Sequence, residues 1–129
     1  MKYDEFIKEV QGLAQLDSRQ AAEQATRATL ETIAERIVGN EASQLADQLP
    51  KELGQYLRGH EGENGGFFSL KEFYERVSQK AGIDPVAAAL QVRAIFMVLN
   101  EAVTPGEFAD VRANFSDDYS ELFATPGKV

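Results

Sequence analysis

Residues 41–50 read EASQLADQLP, and residues 107–116 read EFADVRANFS. When the two stretches are aligned, Glu41 falls on Glu107, and apolar residues recur one, four and eight positions later in both. A spacing of three and four residues is typical of one face of an amphipathic helix. The two stretches therefore predict two short helices that are related to each other.

The correspondence extends over most of the chain. Residues 5–17 align with residues 72–84, and residues 27–57 align with residues 93–123, with a shift of one residue between the two blocks. Most matched positions are apolar, and they keep helical spacing in both copies. Chance rarely produces such matches in order over so long a stretch. The sequence therefore indicates an internal duplication of a four-helix unit.

A unit of about 60 residues buries little apolar surface by itself, so two copies are expected to share one core. We predict an all-α fold of eight helices, arranged as two tandem pseudo-symmetric four-helix repeats that pack into one bundle-like domain. The repeats are residues 1–58 and 69–124. Residues 59–68 form a glycine-rich connector, predicted to be flexible, and residues 125–129 form a frayed tail.

Capping residues predict where several helices start and stop. Asp17 is expected to be the N-cap of a long alanine-rich helix, and Gly39 the residue that ends this helix. Pro50 is expected at the first position of the fourth helix. Asp84 and Thr104, each followed by proline, are expected to cap the helices after them.

The start of the second repeat carries a more specific pattern for the beginning of a helix. Ser69 and Glu72 fit a capping box, and Phe68 and Phe73 fit the hydrophobic staple that often accompanies it. Ser116 is expected to cap the last helix.

Composition excludes several classes of function. The chain has 129 residues, no cysteine and a formal net charge of −8. Disulfides and cysteine-ligated metals are therefore absent, and an acidic surface repels nucleic acid and anionic membranes. The longest apolar run, residues 94–99, is far shorter than the ~20 residues of a membrane span. We expect a cytoplasmic protein without a nucleic-acid or membrane partner.

Residues of catalytic type are sparse. His60, the single histidine, lies in the connector beside Glu61 and Glu63. A weak metal site or a general base there is one interpretation, but a glycine-rich loop orients ligands poorly, so a solvated histidine is favoured. We expect no catalytic residues, no metal and no cofactor.

Arg27 and Arg93 are aligned positions in the two long helices. One interpretation is a ligand-binding site for an anion or small molecule at the junction of the repeats. The other is a structural role, in which each arginine pairs with a nearby acid such as Glu31. Exposed, unpaired guanidinium groups in a shared cleft would favour ligand binding. The structural interpretation is preferred.

The chain resembles a known family. The resemblance rests on YDEF (3–6), ATRATLETIAERI (25–37), EASQLADQLP (41–50) and RAIFMVLNEAV (93–103). These stretches are similar to the bacterial proteins grouped as domain of unknown function 2267, which are small, all-helical and built from two related halves. A Leu-Pro pair tends to precede the last helix of each half in that family. Leu49-Pro50 fits, whereas Phe115-Ser116 departs from it.

The biochemical role of that family is unassigned, so the resemblance implies a fold and no catalytic residues. By elimination we expect a protein-interaction or regulatory module whose partner the sequence does not identify. Ligand binding at the junction of the repeats is the alternative. An enzyme, which would need either a mechanism with acids alone or a metal held by carboxylates alone, is a distant third.

Overall fold

A computed structural model describes residues 1–124, which form eight α-helices, one 3-10 turn and no strand. The elements are α1 (Tyr3–Leu13), α2 (Arg19–Arg36), α3 (Gly39–Asp47), α4 (Lys51–Gly54), α5 (Leu70–Ala81), α6 (Pro85–Ala102), α7 (Pro105–Arg112), the 3-10 turn (Asp117–Tyr119) and α8 (Ser120–Phe123). The prediction of an all-α protein with eight helices is confirmed. The predicted tail, residues 125–129, lies outside the described residues.

The two long helices, α2 and α6, pack against each other at the centre. α1 lies against α2 and α6, while α5 lies against α6 and α2, and α3 packs on α7 at one end. One continuous cluster of buried apolar side chains runs through these contacts, with Phe6, Phe73, Phe96 and Tyr119 among its largest fully buried members. Burial of this cluster is the main force that holds the helices together.

Among the described residues, α6 is the one helix whose length and apolarity would allow it to cross a membrane. Its apolar side chains include Val92, Ile95 and Phe96, which are fully buried between the other helices. Packing in the core accounts for the apolar character of these residues.

Several predicted caps are confirmed by hydrogen bonds from backbone N–H groups to capping side chains. Ser69 accepts from the N–H of Glu72 at 3.2 Å, and Asp84 and Thr104 cap α6 and α7 in the same way. The rings of Phe68 and Phe73 are both buried, with centroids 6.4 Å apart, as expected for a staple. These interactions span one helical turn, which is why the sequence predicts them.

Two boundary predictions were wrong by one residue. Ser18, and not Asp17, caps α2, because Ser18 has the extended backbone and its hydroxyl accepts from Ala21. Pro50 is the N-cap of α4 and not its first residue, and its carbonyl accepts the first hydrogen bonds of the helix. Ser116 stands at the N-cap position of the 3-10 turn that leads into α8, but its hydroxyl makes no capping bond and instead donates to Asp118 and accepts from Arg36.

Gly39 was also predicted incorrectly. It begins α3 and does not end α2, whose last residue is Arg36. A Cβ at Gly39 would lie 1.6 Å from the backbone oxygen of His60, and the N–H of Gly39 donates to the carbonyl of Glu63 at 2.9 Å. Glycine is required here because the connector passes directly over the start of α3.

Candidate functional site

Arg27 and Arg93 lie on exposed faces of α2 and α6. The Nε of Arg27 is 3.3 Å from a carboxylate oxygen of Glu31, and its guanidinium lies 5.2 Å from the ring of Tyr56. The Nε of Arg93 is 3.0 Å from a carboxylate oxygen of Glu121. Each arginine is therefore already paired with an acid.

The two arginines do not share a cleft. Arg27 lines a depression between α2 and α5 that also contains Lys80, whereas Arg93 lines a groove between α5 and α6. No lining residue is common to both. An anion would have to displace a carboxylate at each position. The geometry favours the structural interpretation, and ligand binding by this pair stays a prediction.

His60 lies at the edge of a polar depression of about 320 Å³ beside α2. Its Nδ1 is 3.2 Å from a carboxylate oxygen of Glu63. Glu35 lies in the same depression and binds Lys80 at 2.9 Å and Arg76 at 3.1 Å. Burial alone would raise the pKa of Glu35, but the hydrogen bonds from the two bases outweigh it and lower that pKa. Glu35 is thus held ionised, which suits an ion pair better than a general base.

A second surface feature was not predicted from the sequence. Val86 and Leu90, on the first half of α6, are 74% and 57% exposed. They border a groove of about 430 Å³ between α5 and α6, called here the α5–α6 groove. Its lining residues are Lys71, Tyr74, Glu75, Pro85, Val86, Ala89, Leu90 and Arg93. The sequence feature that could have predicted this groove is the run PVAAAL (85–90). This run is apolar on every face of the helix, including the face away from the core.

The fold does not require this surface to be apolar. Gln20 and Gln24 occupy the positions of α2 that align with Val86 and Leu90, and both are exposed. A helix of the same length therefore packs in the same core with a polar outer face. Exposed apolar side chains that packing does not explain are typical of an interaction surface.

The most buried basic group, Arg36, was also missed. Its guanidinium donates to the carbonyl of Phe68 at 3.0 Å, to the carbonyl of Asn114 at 3.0 Å and to the hydroxyl of Ser116 at 3.2 Å. The ring of Tyr119 lies 5.1 Å away, and its hydroxyl donates to the same Phe68 carbonyl at 2.7 Å. Arg36 therefore ties the end of α2 to the connector and to the chain after α7.

These features define a small all-helical protein with an exposed apolar groove, whose polar side chains are largely engaged with one another. The chain belongs to the family described as "Uncharacterized conserved protein (DUF2267)", which matches residues 3–122. The resemblance noted from the sequence is confirmed over nearly the whole chain. No curated protein matches it. The function of the family is unknown, so membership identifies no activity.

Proposed function

We propose that this protein is a non-catalytic interaction module of the cytoplasm, and that it pairs with a second copy of itself through the α5–α6 groove. The observation that carries the proposal is the exposure of Val86 and Leu90 beside that groove. Side chains of this kind gain free energy when they leave water, about 25 cal/mol for each Å² buried.

The charges beside the apolar strip favour a second copy as the occupant. Lys71 and Glu75 are exposed, lie one turn apart on α5 and make no ion pair within residues 1–124. In a twofold interface each patch meets its own copy. Lys71 of one molecule can then face Glu75 of the other, and the reverse contact forms at the same time. A purely acidic or purely basic partner would satisfy only one of the two charges.

Local charge also permits association of a protein whose net charge is −8. The groove is lined by two basic residues, Lys71 and Arg93, and by one acid, Glu75. The lining of the groove therefore adds no excess of negative charge to a contact between two acidic molecules. A small patch of this kind supports a transient dimer rather than an obligate one.

The absence of catalysis is part of the proposal. It is supported by the bonding of the candidate groups, since His60 contacts Glu63 and Glu35 is bound by two bases. A cytoplasmic location is compatible with the acidic composition and with the packing of α6 in the core.

The tandem duplication is also proposed. Helices in corresponding positions have similar lengths: α1 and α5 have 11 and 12 residues, α2 and α6 have 18 each, and α3 and α7 have 9 and 8. The packing is reciprocal, because α1 contacts α6 where α5 contacts α2. Superposition of residues 3–57 on residues 70–123 in an experimental structure tests this, and different helix orders or directions would refute it.

Sedimentation equilibrium of the purified chain at physiological salt tests self-association. We expect a reversible dimer that forms as the concentration rises through the micromolar range. The double variant Val86→Glu/Leu90→Glu places charge in the interface and is expected to remain monomeric. Gln20→Glu/Gln24→Glu is the matched control, because it adds the same charge at the aligned positions of α2 and should leave the dimer intact.

A wild-type chain that stays monomeric at every concentration overturns the proposal, and so does a control variant that dissociates as fully as the groove variant. If the chain stays monomeric and binds a different protein, the groove is a site for that protein, and the proposal of pairing with a second copy is overturned. Far-UV circular dichroism of both variants confirms that they are folded.

A further inference from the structure

Two acidic residues meet where α3 packs against α7. Glu41 on α3 and Glu107 on α7 are the aligned pair of the duplicated sequence, and only 7% of Glu107 is exposed. One carboxyl oxygen of each residue is shielded from solvent and has no hydrogen-bond donor within the described residues. Two shielded acceptors in contact, with nothing to donate to either, require an explanation.

A single proton supplies the missing donor. If one carboxyl group is protonated, its O–H donates to the other, and both shielded oxygens are satisfied. If both groups ionise, two negative charges face each other in a site poor in water, which is strongly unfavourable. Burial, followed by the hydrogen bond with Glu41 and the charges of Glu41 and its acidic neighbours, raises the pKa of Glu107 to about 8.

The surrounding charges reinforce the effect. Asp110 on α7 and Asp47 at the end of α3 are the further charged groups that act on Glu107, and both raise its pKa. Asp47 is itself paired with Arg58 at 2.7 Å. No ion pair within the described residues joins a base to Glu41 or Glu107, and no base is among the groups that shift the pKa of Glu107.

A second acidic pair, Glu9 and Glu101, can be compared with the aligned positions, where the fold holds an ion pair in place of two acids. Glu9 on α1 also has a shielded carboxyl oxygen without a donor, and burial, with the charge and hydrogen bond of Glu101 on α6, raises its pKa. Glu5 adds to this rise. The aligned residues, Arg76 and Glu35, form an ion pair at 3.1 Å across α5 and α2. An acid opposite an acid is thus not imposed by the helix packing.

We propose that the contact between α3 and α7 is a proton-dependent latch, closed while Glu41 and Glu107 share a proton and loosened when that proton is lost. The remaining direct bonds across this contact are surface bonds, between Gln48 and Thr104 at one end and from the N–H of Val38 to the side chain of Asn114 at the other. Loss of the proton near neutral pH therefore changes the stability of one end of the molecule and leaves the central α2–α6 packing in place. The latch is independent of the α5–α6 groove.

The first test is a ¹³C NMR titration of the glutamate carboxyl carbons in the wild-type chain and in Glu107→Gln. We expect one glutamate of the wild type to titrate with a midpoint near 8. In Glu107→Gln the amide donates to Glu41 permanently, so that midpoint should disappear. Glu52→Gln, at an exposed position of α4, is the control and should keep it. A wild-type chain in which every glutamate titrates below pH 6 overturns the proposal.

The second test is hydrogen exchange of the α3 and α7 amides at pH 6 and pH 9, corrected for the intrinsic rate. Wild type and Glu52→Gln should lose protection in α3 and α7 at least about tenfold at the higher pH, while Glu107→Gln should not. Equal loss in Glu107→Gln overturns the latch. Should Glu107→Gln fail to fold, Glu41→Gln supplies the same donor from the opposite side, and the same outcomes apply.

Discussion

Replacement of Arg36 by methionine tests whether one buried guanidinium joins separate parts of this protein. Methionine keeps an unbranched apolar side chain of similar reach, so contacts with the surrounding rings are largely retained. The substitution removes the three hydrogen bonds to Phe68, Asn114 and Ser116. Arg36 is 6% exposed, so water does not replace these donors without a structural change.

The expected loss of stability depends on whether each of the three acceptors keeps another hydrogen-bond partner. A hydrogen bond from a charged donor contributes about 1.5–3 kcal/mol net, and a buried acceptor that is left unpaired costs about 1–3 kcal/mol. The Phe68 carbonyl keeps the hydroxyl of Tyr119 as a donor, and the Ser116 hydroxyl keeps Asp118 as an acceptor. The carbonyl of Asn114 loses its guanidinium donor. Removal of a buried charge offsets part of the loss, and we expect a net decrease of about 3 kcal/mol.

Urea unfolding followed by circular dichroism at 222 nm measures this change. The midpoint should fall while the slope with urea stays the same, because the surface exposed on unfolding is unchanged. Arg27→Met is the matched control in the same helix. Arg27 is 61% exposed and makes one surface ion pair, so its replacement should cost less than about 1 kcal/mol. An Arg36→Met variant that loses no more stability than Arg27→Met would refute the reasoning.

Three further predictions concern stability. Gly39→Ala should lower the free energy of unfolding by about 1–3 kcal/mol in thermal unfolding, because the new Cβ would meet the backbone of the connector. Gly12→Ala, which has open space around it, should raise that free energy by about 0.5–1 kcal/mol. The reverse order of stability would contradict the packing. Thr29→Val should raise the stability measured by urea unfolding by about 1 kcal/mol, since the fully buried hydroxyl of Thr29 has no partner within residues 1–124. A loss of stability would show that the hydroxyl is bonded. The folded pKa of Glu35 lies below its unfolded value, so its contribution is present above the unfolded value and is lost as pH falls through the folded one. Glu35→Gln should therefore be less stable than wild type by roughly 1 kcal/mol at pH 7 in urea titrations, and this difference should shrink as the pH falls through the folded-state pKa of Glu35. A difference that stays the same as the pH falls would count against the ion pair.

The sequence predicted those parts of the fold that depend on neighbouring residues. The helical spacing of apolar residues and the caps at Ser69, Asp84 and Thr104 involve groups within one or two turns of each other. Such groups meet whenever the helix forms, whatever the rest of the chain does. The errors at Asp17 and Pro50 were shifts of one residue, within the precision that local patterns allow.

The candidate site was predicted less well, because contacts between distant residues decide it. Arg27 and Arg93 look equivalent in sequence, yet Arg27 pairs with Glu31 in the depression between α2 and α5, whereas Arg93 pairs with Glu121 and lines the α5–α6 groove. Gly39 has the local pattern of a residue that ends a helix, but it is required by the close approach of the His60 backbone, which is distant in sequence. Local patterns carry no information on such approaches.

The sequence by itself determined that this protein is helical, that its apolar residues lie on one face of most helices, and that Glu41 and Glu107 occupy related positions. Only the tertiary structure decided that these two acids share one shielded site, that Arg36 is enclosed, and that Val86 and Leu90 face solvent. The physical reason is the distance along the chain between the residues that interact. Helix formation is governed by bonds between residues three and four apart, whereas burial and pKa depend on which helices pack together.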